Sequence, residues 1–190
     1  NLLVPVVAPR ELRGSFRLLY SLARPKGTIK ILGLTTLGEQ DRLRSRLPTL
    51  TEVFRKQGVF ASYAVVDSSD FGAGVTAGMQ ALRGAILRPN LVFLTMPADS
   101  DREEDLRIII TRAHENGVGL VLFAMHPAAG LGLEKSINLW ISDRSPTWEM
   151  GMQLGNLDLC VLLSYLLRRN WNAKLTLVTI TPTESEQEKA

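Results

Sequence analysis

Cysteine is almost missing from this chain: Cys160 is the single one among 190 residues. One thiol excludes an internal disulfide and fits a reducing compartment. It lies in Leu157-Asp158-Leu159-Cys160-Val161-Leu162-Leu163, which reads as a buried helix face, so an inert core thiol is expected rather than a nucleophile. Histidine is scarce too. His114 and His126, together with one cysteine, match no usual zinc-ligand spacing, and no metal is expected; His114 reads as a solvated helix face and His126 as a loop before Pro127. Long apolar runs are absent. The longest, Leu157 to Leu167, is broken by Asp158 and Ser164 and falls short of the ~18–20 residues of a membrane span. The opening Asn1-Leu2-Leu3-Val4-Pro5 lacks a starting Met, a basic n-region and a small-residue cleavage site, so it reads as a soluble piece of a longer protein and not as a signal peptide.

Charge of one sign is also lacking. Twenty-two basic residues face 19 acidic ones, for a formal charge of +3, which argues for a solvated surface of mixed sign. A nucleic-acid partner is not expected. It would need a clustered basic and aromatic stripe, and Arg168-Arg169-Asn170-Trp171 is too short to make one.

What is present is a rhythm. Leu2 to Val7 is β-rich and closed by Ala8-Pro9, with the proline suited to the first turn of a helix. Leu12, Phe16, Leu19, Tyr20 and Ala23 then recur at helical spacing until Pro25-Lys26-Gly27. Strands follow at Thr28–Leu34, Ala61–Val66, Leu91–Leu94 and Val118–Phe123. Between them run helical stripes at Leu43/Leu47/Leu50/Phe54, with Pro48 bending or splitting that helix, at Phe71/Val75/Met79/Leu82/Ile86, and at Leu106/Ile109/Ile110/Ala113. The glycines Gly72, Gly74, Gly78 and Gly84 read as close packing on a sheet, because the run begins after Asp67-Ser68-Ser69-Asp70 and not directly after a strand, as a phosphate loop would. Ser100-Asp101-Arg102-Glu103 reads as a capping box, and the carboxylates from Asp99 to Asp105 as cap and dipole residues rather than a metal or acid/base cluster. Ser136–Ile141 is a further strand, Asp143 to Gly155 a polar loop, Leu157–Asn170 a long helix and Ala173–Ile180 an edge strand. Strand–helix alternation with nearly continuous apolar strands predicts an α/β fold, a mostly parallel central sheet of at least five strands with helices on both faces. No linker divides the chain, so one domain is expected over 1–181, with a disordered tail at 182–190.

Several segments resemble the cytoplasmic C-terminal domain of cation-chloride cotransporters of the prokaryotic kind. Phe71-Gly72-Ala73-Gly74-Val75 through Met79-Gln80-Ala81, then Leu87-Arg88-Pro89-Asn90-Leu91-Val92-Phe93, is similar to that family's helix leading into "MKPN" and a strand. Ile137-Asn138-Leu139-Trp140-Ile141 resembles its "IDVWW" strand. Leu157-Asp158-Leu159 through Leu162-Leu163-Ser164-Tyr165-Leu166-Leu167, then Trp171 and Ala173-Lys174-Leu175-Thr176-Leu177, resembles its last helix and strand, and Leu3-Val4-Pro5-Val6 resembles bacterial openings. Where the family has "DDGG", this chain has Met150-Gly151-Met152-Gln153-Leu154-Gly155-Asn156, a longer and less acidic loop. The resemblance implies a fold similar to universal stress proteins. It implies a non-catalytic regulatory and dimerising domain at the cytoplasmic face of the membrane, attached to a transmembrane domain that carries the ions.

The rival reading is a universal-stress-like module binding a nucleotide or small ligand. In open parallel sheets ligands bind at the carboxyl ends of strands near the switch point, which makes Val7, Ala8, Thr95, Met96 and Pro97 the candidate crevice. Asp99 and Asp101 stand where phosphate-cradling glycines would be needed, so tight ATP binding and a cofactor are not expected. Ser68 and Ser69 have no nearby histidine, and no catalytic residue is assigned. For assembly, all three tryptophans fall after the regular alternation, and the Asp143–Gly155 loop is richer in apolar residues than solvation needs. A homodimer using Trp140, Trp148, Met150, Met152 and Trp171 is therefore expected.

Overall fold

The structure, a computed structural model, describes residues 1–35, 40–96, 102–141 and 156–179. The chain parts into two compact units, Asn1–Gly130 and Leu131–Ala190. The sequence expectation is one domain over 1–181; the division between the units falls in a loop that carries Pro127, Gly130 and Gly132.

The first unit runs β1 (Leu2–Val6), α1 (Pro9–Ala23), β2 (Thr28–Thr35), α2 (Gln40–Lys56), β3 (Phe60–Asp67), α3 (Phe71–Ala81), β4 (Leu91–Thr95), α4 (Glu103–Glu115) and β5 (Gly119–Phe123). All its strand pairs are parallel, in the order β3-β2-β1-β4-β5. This is the α/β architecture that the alternation predicts. β1 lies in the middle with all five residues buried, which is why it carries no polar side chain on either face.

Two layers of helix cover the sheet. On one face Leu3, Leu32, Leu34, Val92 and Leu94 pack against Val75 and Met79 of α3 and Ile109 and Ala113 of α4. Neighbouring strand positions point the other way. A Cβ at Gly33, between Leu32 and Leu34, would lie 2.9 Å from Leu47 of α2, and Phe16 of α1 stacks on Phe54 of α2 at 4.3 Å. The glycines of α3 serve packing. A Cβ at Gly74 would come 2.8 Å from Leu34 Cδ2, and one at Gly78 would collide with Leu32 Cδ2. Pro48 does not split α2, which continues to Lys56. Gly58, at φ +80°, ends it with a turn that an L side chain would strain.

Three expectations are corrected here. Ile86 is fully exposed, because α3 closes at Ala81 and a short 3-10 turn over Leu82–Gly84 carries the chain off the helical period. Ile110 is 46% exposed while Ile109 and Ala113 are buried, so the inner stripe of α4 is narrower than its apolar residues suggest. α4 begins at Glu103, with Arg102 at the N-cap position and no side-chain cap, later than the capping box requires; Ser100 and Asp101 lie outside the described residues. Glu103, Glu104 and Asp105 do occupy the first turn, where acid suits the positive helix end.

The second unit, taken by itself, contains β6 (Ser136–Ile141), α5 (Asn156–Trp171) and β7 (Lys174–Thr179). β6 and β7 form a separate two-stranded parallel sheet, in register from Ser136↔Lys174 to Ile141↔Thr179. Among its described residues only Leu139, Ser164 and Ala173 are buried. Cys160 is exposed, against the core-thiol expectation: α5 is apolar on most sides and has only two strands to cover, so apolar surroundings in sequence do not mark its inner face. The Asp143–Gly155 loop and the tail from 182 lie outside the described residues. Among the described residues no helix is long and apolar enough to cross a membrane.

Candidate functional site

The carboxyl ends of β1, β2 and β3 open into a crevice of about 500 Å³ in the first unit. Its wall contains Val7 and Ala8 from the turn after β1, Arg10 in the first turn of α1, Leu34 and Thr35 at the end of β2, Ser68 and Ser69 after β3, and Phe71 opening α3. Local chemistry sets each piece in place. Pro9 starts α1 directly after β1, so the helix N-terminus faces the sheet's edge of open strand ends. Thr35 Oγ1 donates to Asp67 Oδ1 at 2.9 Å, and Ser68 N donates to Thr35 O at 2.9 Å, which ties the ends of β2 and β3 together. Ser68 Oγ donates to Asp70 O at 2.6 Å, and the Asp70 carboxylate caps α3 by accepting from Ala73 N at 2.6 Å.

Of the five crevice residues named from sequence, Val7 and Ala8 stand in this wall. Thr95 and Met96 sit half-buried at the end of β4, outside the wall, which lies toward β2 and β3 instead. Pro97 lies outside the described residues. Arg10, Ser68, Ser69 and Phe71 were not singled out from sequence as lining; the Ser68-Ser69-Asp70 turn after β3 was the available signal. Among the interface candidates, Trp140 is 66% exposed on β6 and Trp171 is half-buried at the end of α5. Trp148, Met150 and Met152 lie outside the described residues.

Two carboxylates near the crevice have structural partners. Asp105 of α4 accepts from Gly72 N at 3.0 Å, so it completes the N-terminus of α3 as well as sitting in the first turn of its own helix. Glu11 turns back from α1, and its Oε2 accepts from Val7 N at 3.0 Å. Burial pushes the Glu11 carboxyl above its ordinary value, opposed by the Val7 N–H, the Arg102 charge, the Ala8 backbone and Arg10. Arg102 itself lies over the Phe71 ring at 4.5 Å. A carboxyl raised by burial binds its proton more tightly in the folded than in the unfolded chain. Its contribution to stability is therefore complete at low pH and declines as pH rises past 4.5. Glu11→Gln keeps an acceptor for Val7 N without a charge to bury. Urea denaturation should find the variant close to the parent at about pH 4 and more stable than the parent at about pH 7; a variant less stable at about pH 7 would show that the carboxylate is net favourable there.

Among the described residues the wall combines the Arg10 cation, the hydroxyls of Thr35, Ser68 and Ser69, and apolar side chains such as Leu34 and Phe71. Among the described residues no group of three His, Cys, Asp or Glu side chains is placed to hold a metal.

Comparison with known proteins speaks to both units. No curated protein matches the chain. A solved structure titled "Crystal structure of the cytoplasmic domain of a prokaryotic cation chloride cotransporter" is similar to it at 42% identity and a TM-score of 0.89, over 100% of this chain and 69% of that one. Residues 4–131 match the family model of the first part of the C-terminal domain of prokaryotic cation-chloride cotransporters, and residues 132–190 match that of the second part. The junction of the two models falls at the boundary between the two compact units. The chain belongs to the C-terminal domain family of prokaryotic cation-chloride cotransporters.

Proposed function

We propose that this chain is the cytoplasmic domain through which a membrane cotransporter pairs with a second copy of itself and is regulated. Cotransport of cations and chloride would belong to a transmembrane domain elsewhere in the protein. The observation that carries the reading is Trp140, 66% exposed on β6. A large aromatic on a parallel sheet is ordinarily covered, and tryptophan is prominent among residues that anchor interfaces. Leu177 on the paired strand is 61% exposed, and Leu162 and Tyr165 of α5 are 54% and 50% exposed, so the second unit offers apolar surface on more than one element. A self-complementary patch of this kind suits a two-fold dimer.

Sedimentation velocity across a concentration range tests it. The chain should pass from monomer to dimer, and Trp140→Ala should weaken that equilibrium by roughly 30-fold or more, the scale of a hot-spot truncation of about 2 kcal/mol. A chain that stays monomeric at the highest concentration refutes pairing through this domain. A dimer indifferent to Trp140→Ala moves the interface elsewhere.

A second reading, a small-ligand module, rests on the crevice beside Val7 and Ala8. Among the described residues Arg10 puts a cation in that wall, which suits an anionic ligand. Micromolar affinity for ATP would favour this reading over the first.

A further inference from the structure

Strand β3 is the longer of the two edges of the five-stranded sheet, eight residues against five for β5. Its sequence, Phe60-Ala61-Ser62-Tyr63-Ala64-Val65-Val66-Asp67, has no lysine and no proline, and its register with β2 runs unbroken by a bulge from Thr28↔Phe60 to Thr35↔Asp67. Free edges are ordinarily blunted by one of these devices. The ladder itself tells which backbone groups are free. Ser68 N donates to Thr35 O, so the even-numbered residues of β3 turn their N–H and C=O toward β2 and the odd-numbered ones turn theirs outward. Arg55 agrees with this sense, since its Nε donates to Ala61 O at 2.7 Å. Tyr63 and Val65 therefore present N–H and C=O groups at the rim of the sheet.

The side chains of this edge are apolar in the middle and charged at the ends. Ala64 and Val66 share the face of Leu32 and Leu34, their register partners, and on that face Phe60, Ala64 and Val66 are exposed. Tyr63 is exposed on the other face. One end carries Arg55, laid on Ala61 O and held only weakly by exposed Glu52 at 3.9 Å. The other end carries exposed Asp67, whose Oδ1 accepts from Thr35 Oγ1 and whose carboxylate has further acceptor capacity.

We propose that β3 pairs antiparallel with β3 of a second copy, extending the sheet across a two-fold axis at Tyr63. The polarity of the edge selects this direction: antiparallel pairing sets Arg55 of each copy toward Asp67 of the other, whereas parallel pairing would set like beside like. With the axis at Tyr63, outward-facing residues oppose one another, Ala61 against Val65 and Tyr63 against itself, and each pair exchanges both backbone hydrogen bonds. Phe60 then opposes Val66 in the pairs whose side chains approach most closely, an aromatic against a β-branched residue. Shifting the register by two residues puts Phe60 opposite Ala64 or Ser68 and loses that pair. The contact goes beyond the pairing through Trp140. It uses residues of the other unit, so one copy can make both contacts and pairs can join into larger assemblies. Lacking a tryptophan anchor, it is the weaker of the two and adds its step at higher concentration.

Sedimentation velocity of the full chain, over a wide concentration range, reads the two contacts separately. The parent should pass through a dimer to larger species. Trp140→Ala should stop at a dimer that forms only at high concentration, held by β3 alone. Phe60→Lys with Val66→Lys sets like charges against each other across the axis and should weaken the β3 step by about 100-fold. Phe60→Lys with Val66→Glu sets opposite charges against each other in the same register and should restore it. Both positions are exposed, and far-UV circular dichroism of each variant checks that the fold is kept. Association of the first double variant identical to the parent's at every concentration overturns the proposal. So does a loss that the second double variant does not recover, because another strand, and not β3 of a second copy, would then be the occupant. A dimer indifferent to Trp140→Ala but lost in the first double variant would end the Trp140 reading and leave β3 as the contact.

Discussion

Replacing Phe54 by alanine is expected to lower the unfolding free energy of the first unit by about 3–5 kcal/mol. The side chain is wholly buried and stacks on Phe16 at 4.3 Å, so it joins α2 to α1 over the sheet. Its removal withdraws the transfer energy of a large aromatic and leaves a cavity that neighbouring side chains fill only in part. Because Val59 N and Gln57 N both donate to the Phe54 carbonyl, the backbone at this point is held by the turn into β3 and has little freedom to collapse inward. Against a domain stability of about 5–15 kcal/mol, the loss is a large fraction. Urea denaturation gives the measurement. Phe60→Ala is the internal contrast: that ring is 53% exposed at the start of edge strand β3 and should cost within about 0.5 kcal/mol. Equal costs at the two positions would mean that α2 does not pack on α1 as described.

The contrast between Phe54 and Phe60 also shows what a sequence discloses. Both are phenylalanines in regular elements, yet only Phe54 sits in a helical stripe, at the period of Leu43 and Leu47, and that period identifies its burial. The seven strands among the described residues were legible because β-rich runs of four to eight residues stand between breakers such as Pro25-Lys26-Gly27 and Arg88-Pro89-Asn90. The glycines of α3 were legible for a different reason: their offset from the preceding strand excluded a phosphate loop and left close packing, which Leu32 and Leu34 supply. Cys160 and Ile86 misled because local composition carries no information on how many strands an element has to cover or where a helix gives way to a tighter turn. That Thr35, Ser68 and Ser69 join Val7 and Ala8 in one wall was not legible, since strand order decides which carboxyl ends are neighbours and order is a long-range property.

Separating the units should have the largest effect of all. A chain ending at Gly130 is expected to keep a cooperative unfolding transition, whereas residues 131–190 alone, in dilute solution, should show none. The first unit holds a five-stranded sheet with helices on both faces and every buried hydrophobic residue described except Leu139 and Ala173. The second offers a two-stranded parallel sheet and one helix. An isolated two-stranded sheet is marginal in water at best. Parallel strands, moreover, ordinarily need both faces covered, and a chain of this size buries too small a share of its surface to offset backbone ordering. Far-UV circular dichroism and amide dispersion in NMR spectra of the two fragments provide the readout. A 131–190 fragment that unfolds cooperatively at all concentrations would refute the argument, because it would show Leu139, Ser164 and Ala173 to be core enough. One that gains structure only as its concentration rises would mean that association supplies the missing surface. Trp140 and Leu177, the most exposed large side chains of β6 and β7, would then be the first places to look for the contact.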